Sequence, residues 1–527
     1  MPVSLPPPTV PSLSDAAETQ AQSQVGTFSF QHYTVNIHGA DVITEEMFAL
    51  LAGVSANLSD LVRRIGAACY TAGYLACQTH YARVGNTVYL LLDARGIDRV
   101  EGDKRITAYF KGLEGKEHLT ARQLEPRRFL ANAHTERAGL LVQPVIKDAD
   151  DGATVMEVST IQEEGVATNV NAEFGNPGTR FVGRYLGSVS ASIGSPWGDE
   201  FTAGWREGIS DLGSNTNDGN YREFNLGTSR VTPWGIFGVG GRKVDYDFET
   251  QGFRVDADFR IYDVRWLYPW FADFRQRFVT QVKFERTDST AQFAQGAGEP
   301  LPPNLLVSLL PILSILFPPQ TAEGQQGELL DERYNSVELV AFYSRRDQVF
   351  GRALLSDSSL TYRLGLKDEV AVPTGANLDY QFIRPVVSLK YPVLNNWELA
   401  TTLAAQFSSD RMPQQQQWVL GGLDNLTAFL PGVAAGDEGA LARFVLSTPT
   451  FTSFGMTFKP ALLLEGGTTR FNNGMSEVRL ADVGAKVDVT VHRHIDLTLA
   501  YATDIVSDNL QRDDADAKLY FRLRAQF

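Results

Sequence analysis

In FRVDADFRIY, residues 253–262, apolar and charged side chains alternate without a break. Phe253, Val255, Ala257, Phe259 and Ile261 fall on one side, and Arg254, Asp256, Asp258 and Arg260 on the other. Successive side chains of a strand project to opposite faces, so a period of two marks a β-strand with unlike faces. The same alternation runs through KVDVTVH (Val487, Val489, Val491). It returns in KLYFRLRAQF, where Leu519, Phe521, Leu523, Ala525 and Phe527 share a face. Sandwich strands are mostly shorter than these. From about Gly165 onward no helical periodicity interrupts the pattern.

Sixteen candidate strands follow, centred on 166–174, 180–193, 199–208, 220–231, 236–247, 252–265, 275–287, 333–345, 349–363, 379–391, 396–409, 438–448, 453–467, 478–492, 494–504 and 517–527. Their connections alternate in length. SPWGD, TPWG, YPVLNN and HRH are tight. GISDLGSNTNDG, 288–332, 411–437 and DIVSDNLQRDDADA are long and mostly polar. Short turns on one rim and long loops on the other mark an outer-membrane barrel. In lipid every backbone N–H and C=O must be bonded within the protein, which only helices and closed barrels achieve. The fold class expected is mainly β: a 16-stranded antiparallel transmembrane β-barrel over 164–527. Its lumen is expected to be lined by Arg254, Asp256, Asp258 and Arg260, and its apolar face to meet lipid. Trp266, Tyr268, Trp270, Phe271 and Phe274 cluster near one turn, where an interfacial girdle belongs. The last strand must pair with the first to remove the edges of the sheet.

Two small α+β units precede the barrel. Residues 27–97 read strand–helix–helix–strand–strand. FSFQHYTVNIHG is the first strand. ITEEMFALLAG is a helix capped by Thr44, and Leu58, Val62, Ile65 and Cys69 form the apolar stripe of the next. GYLACQTHYARVGNTVYLLLDA is a hairpin turning at Gly85-Asn86. The order recurs in 98–163. KRITAYFKG reads as a strand, TARQLEPRRFLANAH as a helix and GLLVQPVIKDADDGATVMEVS as a hairpin. A repeated unit of about 65–70 residues indicates tandem modules.

Residues 1–26 are rich in Pro, Ser, Ala and Gln and read as a flexible lead-in without a secretory signal. Net charge is −15, which argues against a nucleic-acid partner. The longest apolar run, Leu305–Phe317, contains Pro311 and is too short for a membrane helix. It reads as packing against the barrel mouth or lipid, or as a docking patch. Cys69 and Cys77 are the two cysteines; they close a small disulfide in an oxidising compartment or stay as two buried thiols. No P-loop is present. His492 and His494 lie in a tight turn and read as solvated, and RDDADA as a hydrated loop. No catalytic residue, metal site or cofactor is expected.

Two βααββ modules ahead of a sixteen-stranded barrel resemble the two-partner secretion transporters of the hemolysin secretion/activation type. That family belongs to the outer-membrane superfamily of the Bam-type insertases. The modules look like POTRA domains. YTAGYLACQTHY resembles the start of the second POTRA strand. NPGTRFVGRYLGSVSASIGSPWGDE resembles the first barrel hairpin, and LYPWFADFRQRF the Tyr-Pro turn. The family's long loop folds into the lumen, with a Val-Arg-Gly-Tyr tip preceded by Gly-Gly. Here the loop 411–437 keeps Gly421 and Gly422, and its tip is Leu426, Thr427, Ala428 and Phe429. Thr427 stands where the family has Arg, and Ala428 where it has Gly. The family's Arg meets a wall carboxylate, which the resemblance assigns to Glu465 in LLLEGGTTR. The lock therefore keeps its acid and lacks its base. Either the lumen is wet at this point or another cation, Arg443 or Arg470, reaches Glu465.

The resemblance implies a monomeric outer-membrane transporter of a bacterial cell, in contact with lipid, with its POTRA-like domains in the periplasm. Its partner would be a secreted polypeptide, captured unfolded as an added strand along Tyr74, Leu75, Ala76, Gln78, His80, Tyr81 and Arg83. An insertase of the same superfamily is the competing expectation.

Overall fold

The computed structural model describes residues 24–162, 167–178, 184–209, 220–250, 253–293, 328–366, 376–393, 396–472, 477–492, 494–510 and 519–527. Residues 1–23, the run Leu305–Phe317 and RDDADA lie outside them. The chain divides into two compact units, Met1–Gly165 with Pro269–Arg275, and Val166–Tyr268 with Gln276–Phe527.

The first unit contains two small sheets. Strands β1 (Gln24–Phe30), β2 (Tyr33–Gly39), β3 (Cys77–Val84) and β4 (Thr87–Ala94) lie in the order β1-β2-β4-β3. Helices α1 (Glu45–Val54) and α2 (Leu58–Thr71) connect β2 to β3. Thr44 Oγ1 accepts the Met47 N–H at 3.2 Å, the expected cap. Leu61, Val62, Ile65 and Cys69 of α2 are buried, the first three against Val35, Ile37, Val88, Leu90 and Leu92 of the sheet. In the second sheet β5 (Arg99–Gly102), β6 (Leu140–Asp148) and β7 (Thr154–Gln162) lie in the order β5-β7-β6, with α3 (Lys104–Phe110) and α4 (Ala121–Glu136) between β5 and β6. In both sheets the strand that leads into the helices pairs parallel with the last strand, β2 with β4 and β5 with β7, and the strand that follows the helices, β3 or β6, takes an edge. That shared order is the repeat expected from the sequence.

Two local expectations are corrected. FSFQHYTVNIHG is two antiparallel strands, because the chain reverses at Gln31 with φ 55°. KRITAYFKG is mainly helix α3. Asp103 caps it, accepting the Arg105 N–H at 2.9 Å. Ile106, Tyr109, Phe110 and Leu113 are buried at helical spacing, which a period-two reading of so short a stretch hides.

The second unit is a closed barrel. Its strands are β8 (Thr168–Gly175), β9 (Tyr185–Gly194), β10 (Asp199–Ile209), β11 (Asn220–Thr232), β12 (Gly235–Thr250), β13 (Phe253–Ala272), β14 (Gln276–Phe293), β15 (Glu328–Val349), β16 (Arg352–Leu366), β17 (Gln381–Pro392) and β18 (Glu398–Gln406). Inside the connection that follows, β19 (Trp418–Leu420) pairs with β20 (Ala434–Gly436). The barrel resumes with β21 (Glu438–Ser447), β22 (Phe451–Ser453), β23 (Met456–Arg470), β24 (Val478–Val491), β25 (Ile495–Asp508) and β26 (Leu519–Gln526). Short β22 continues β21, since both pair with β23, so the wall has sixteen strands. β26 closes onto β8, with Arg522–Gln526 opposite Gly175–Asn171.

The wall is lipophilic outside. Phe237, Val239, Val264, Leu462, Leu464, Val483, Tyr501 and Leu523 are exposed and outward, whereas Leu463, Glu465, Asp482, Ala502 and Tyr520 point inward and are buried. The lumen assignment for β13 is corrected. Its outward face begins near the tight turn with Trp266, Val264 and Tyr262, beside Phe237, Val239 and Gly241 of β12. Further along the same face Arg260, Asp258 and Asp256 pair with Lys243, Asp245 and Asp247. The side chain of Arg254 lies outside those described. Val255, Ala257 and Phe259 face inward and are buried, and Ala257 and Phe259 pack with Val244, Ala291 and Leu330. Strand length explains the reversal. A membrane strand needs about 9–11 residues, while β13 has 20 and β15 has 22. The far half of these strands stands outside the hydrocarbon, where the outer face meets water and the inner face forms a core.

Cys69 and Cys77 form a disulfide, tying the end of α2 to the start of β3. Replacing Cys69 with Ser opens a loop of sequence separation 8. The loop-entropy relation gives a loss of about 2.5 kcal/mol in the first module. Limited proteolysis and thermal unfolding, with and without reductant, check this: reductant shifts the parent and leaves the variant unmoved.

Candidate functional site

The connection from β18 to β21 folds into the lumen. Gln414–Gln416 form a 3-10 turn, and β19–β20 make a short hairpin beyond it. Gly421 and Gly422 reverse the chain with φ 102° and 106°, a region that disfavours other residues. A Cβ on Gly421 would stand 2.1 Å from the Leu430 carbonyl oxygen. The Gly422 N–H donates to the carbonyls of Phe429 at 2.9 Å and Leu426 at 3.1 Å, closing the tip into a compact knot. Leu426, Thr427, Ala428 and Phe429 are buried. Leu426, Ala428 and Phe429 pack with Trp418, Leu420 and the inward Leu480 and Ala502.

Three adjacent strands present a row of charges to this knot. Arg443 on β21 is the register partner of Glu465 on β23, which is the register partner of Asp482 on β24. Arg443 Nε lies 2.5 Å from Glu465 Oε1, as a charge contact rather than an aligned hydrogen bond. The other carboxylate oxygen, Glu465 Oε2, accepts the Thr427 N–H at 2.7 Å. Asp482 Oδ2 accepts the Ala428 N–H at 2.8 Å. Tyr520 on β26 donates its hydroxyl to the Phe429 carbonyl at 2.7 Å. Arg443 also donates to the Leu423 carbonyl at 3.1 Å, and Asp424 pairs with Arg522 at 2.8 Å. The lock has its base after all. The cation comes from the wall at Arg443, and the loop offers main-chain N–H groups instead of a guanidinium. Arg470 is engaged with Glu438 at 2.6 Å and does not reach the acid.

The root of the loop has a second set of holds. Asp437 accepts the Met412 N–H at 2.7 Å and the Asn472 N–H at 2.8 Å. Gln406 donates to the carbonyls of Asp437 at 2.9 Å and Gln416 at 3.1 Å, and accepts from Arg384 Nε at 2.9 Å. Gln416 reaches the Tyr334 hydroxyl at 3.2 Å. The loop is thus pinned to β15 and β18 at its root and to β21, β23, β24 and β26 at its tip.

Sequence reasoning missed Asp482, Tyr520, Gln406 and Arg522. The available signal was an acid at an inward position of β24, opposite Glu465 once the two strands are in register.

In the first module β3 has β4 as its one neighbour among the described strands, so Gln78, His80, Tyr81 and Arg83 do stand on an edge. Tyr74, Leu75 and Ala76 do not. Tyr74 bridges to Thr120, Leu75 N–H donates to the Leu119 carbonyl at 3.0 Å, and the Ala76 carbonyl accepts from Arg95 at 3.0 Å. Gln78 donates to Asp148 at 3.0 Å, and Arg83 lies over the Tyr33 ring at 4.9 Å.

CdiB from Escherichia coli superposes on this structure with a TM-score of 0.67, covering 98% of this chain and 95% of that chain at 14% identity. This chain has the CdiB fold. CdiB from Acinetobacter baumannii gives 0.62 over 94% and 89% at 12% identity. BamA from Haemophilus ducreyi lacking POTRA domains 1–3 gives 0.51 over 95% and 100% at 13% identity. No family model and no curated protein matches the sequence.

The charge row is testable as a unit. Arg443→Met leaves the buried Glu465 carboxylate without its cation, a loss of about 3–5 kcal/mol. The tip is then released, and single-channel recordings in planar bilayers show larger and longer openings. Arg443→Met with Glu465→Gln removes both charges and recovers much of the closed state. Equal conductance in the parent and the single variant would sink the latch.

Proposed function

We infer that this protein moves an unfolded, secreted polypeptide across the bacterial outer membrane, in the manner of two-partner secretion, with its POTRA-like modules in the periplasm. The observation that carries this is the inward loop: a wide barrel holds a compact peptide plug by few, specific contacts. The plug's grip sets the energy scale. Burying Leu426 and Phe429 contributes roughly 2 kcal/mol each. Two main-chain hydrogen bonds to carboxylates add roughly 2 kcal/mol each. These four tip contacts alone come to about 8 kcal/mol, the binding energy of a ligand with a dissociation constant of about 1 μM. Capture of a polypeptide at the β3 edge and the lumen mouth supplies energy of that order, and no nucleotide is needed. An edge strand suits the task because its N–H and C=O groups accept any sequence. Fold likeness to CdiB supports this reading.

One observation favours the insertase reading. Among the described residues the closing seam has five register pairs and one further backbone pair, Val170 with Phe527, against seven register pairs for β25–β26 and nine for β10–β11, so it is the ladder to part first in a lateral opening. The two readings separate on one double substitution. Ala172 and Ala525 are register partners across the seam. Ala172→Cys with Ala525→Cys, oxidised, seals it. Under translocation the sealed protein keeps secreting one large exoprotein, and a crosslinker at Thr79 in β3 captures that exoprotein. Under insertion the sealed protein loses activity and outer-membrane barrels fall generally.

A further inference from the structure

A sheet margin accepts a guest strand unless something on it forbids pairing. The two small sheets of the first unit have four margins, β1 and β3 in one and β5 and β6 in the other. Three of them carry an obstacle. On β1 the register slips between Gln24 and Gly26, and a bulge turns an edge away from partners. β5 has four residues, and its Val100 N–H already donates to Glu114 Oε1 at 2.9 Å. On β6, Pro144 is the register partner of Val158 in an antiparallel ladder. Proline has no N–H, so it occupies a position whose donor would point away from β7. Alternate residues share that direction, and Val142 bears this out by giving its N–H to Asn132 Oδ1 of α4 at 3.0 Å. Two successive outward positions of β6 therefore offer no donor.

β3 carries no such obstacle among the described residues. Its turn, Gly85-Asn86, has two residues, so Val84 and Thr87 form the hydrogen-bonded closing pair. Counting back by twos, Ala82, His80 and Gln78 bond β4, and the main-chain groups of Arg83, Tyr81, Thr79 and Cys77 point to the open side. Before Cys77 the same lane is already filled, by the protein itself. Residues 73–75 meet residues 119–121 in an antiparallel bridge centred on Tyr74 and Thr120. The Leu75 N–H donates to the Leu119 carbonyl at 3.0 Å, and the Ala121 N–H donates to the Gly73 carbonyl at 2.7 Å. The second module thus adds a short strand of its own to this lane, and the bridge shows how a guest would be held.

We propose that strand addition is confined to β3, in one bounded lane, and that the second module is closed to it. The inference rests on the translocation reading only for the identity of the guest. One end of the lane is the hairpin tip at Gly85 and the other is the stretch 119–121, so a guest strand spans the eight residues Cys77–Val84 and no more. The guest is an extended polypeptide that exchanges main-chain hydrogen bonds with Cys77, Thr79, Tyr81 and Arg83. Proline is excluded from the guest residues opposite these four, and main-chain pairing admits many other sequences. The two modules therefore divide the work. The first binds, while the second blocks its own margins and sets where the guest stops.

Photo-crosslinking on the full-length protein in liposomes tests this. A benzophenone-bearing residue replaces Arg83 beside the β3 lane or Val145 on β6, both of which have exposed side chains. The probe is an octapeptide that alternates threonine with valine and lysine. The β3 site captures it and the β6 site gives background. Thr79→Pro removes one outward donor and leaves the β4 ladder intact, so capture at the β3 site falls about tenfold. A second variant works in the opposite sense. Pro144→Thr with Asn132→Ala gives β6 two outward donors, and capture at the β6 site rises towards that of β3. Capture at β6 in the parent, none at β3, full capture by Thr79→Pro, or no gain in the opened β6 variant overturns the proposal. Secretion by the sealed-seam barrel is scored separately. A protein that captures the peptide and secretes nothing sinks translocation alone, and a secreting protein with an idle β3 sinks the edge assignment alone.

Discussion

Hydrocarbon offers no partner for a backbone N–H or C=O, and the rest of this structure follows from that. Each unmade hydrogen bond in lipid costs several kcal/mol, so a sheet in the membrane must have no edge. The chain meets the requirement by pairing β26 with β8, Arg522–Gln526 against Gly175–Asn171. The seam is reinforced by Arg524 with Glu173 at 2.9 Å, and by Asn176, which accepts the Phe521 N–H at 2.7 Å. Closure creates the lumen, and the lumen creates the need for a plug. The alternation of side chains is a consequence of closure as well, because one face then meets lipid and the other does not.

The plug shows how one mechanical role can be carried by different chemistry. A side-chain cation on the loop would bring its own charge to the wall. Here the wall neutralises itself, Arg443 against Glu465, and the loop contributes only main-chain N–H groups. Main-chain donors make the tip tolerant of its side chains, provided that they are small enough to bury. Thr427 and Ala428 satisfy that condition. The glycines do not share the tolerance, because Gly421 and Gly422 hold left-handed turns against neighbouring backbone and Pro431.

Much of this was readable from the chain, and the limits have physical causes. Barrel strands are long and two-faced, so β13, β24 and β26 stand out by alternation alone. Which face meets lipid is a different question. In β13 the alternation is clearest where the strand has left the bilayer, and there the polarity reverses. Membrane level depends on neighbouring strands, which a single strand does not encode. The helix α3 was hidden because seven residues hold barely two turns. The edge residues separated at Cys77 because Tyr74 and Leu75 bond to the following module and Ala76 to Arg95 after β4, tertiary choices with no local signal. Glu465 was found through its motif, while Asp482 needed the register between two strands.

The seam also dictates an order of events. Asn176 and Phe521 are 345 residues apart in the chain, whereas the other barrel ladders form between successive strands. Bringing such distant segments together costs about 5 kcal/mol of chain entropy beyond a constant. Hairpins therefore zip first, and the cylinder is sealed last. Until then the nascent sheet carries two bare margins, each a template for pairing with other chains. A polypeptide built this way stays open to edge-to-edge pairing for as long as the cylinder is unsealed, and its hazard of aggregation ends only when the final ladder forms.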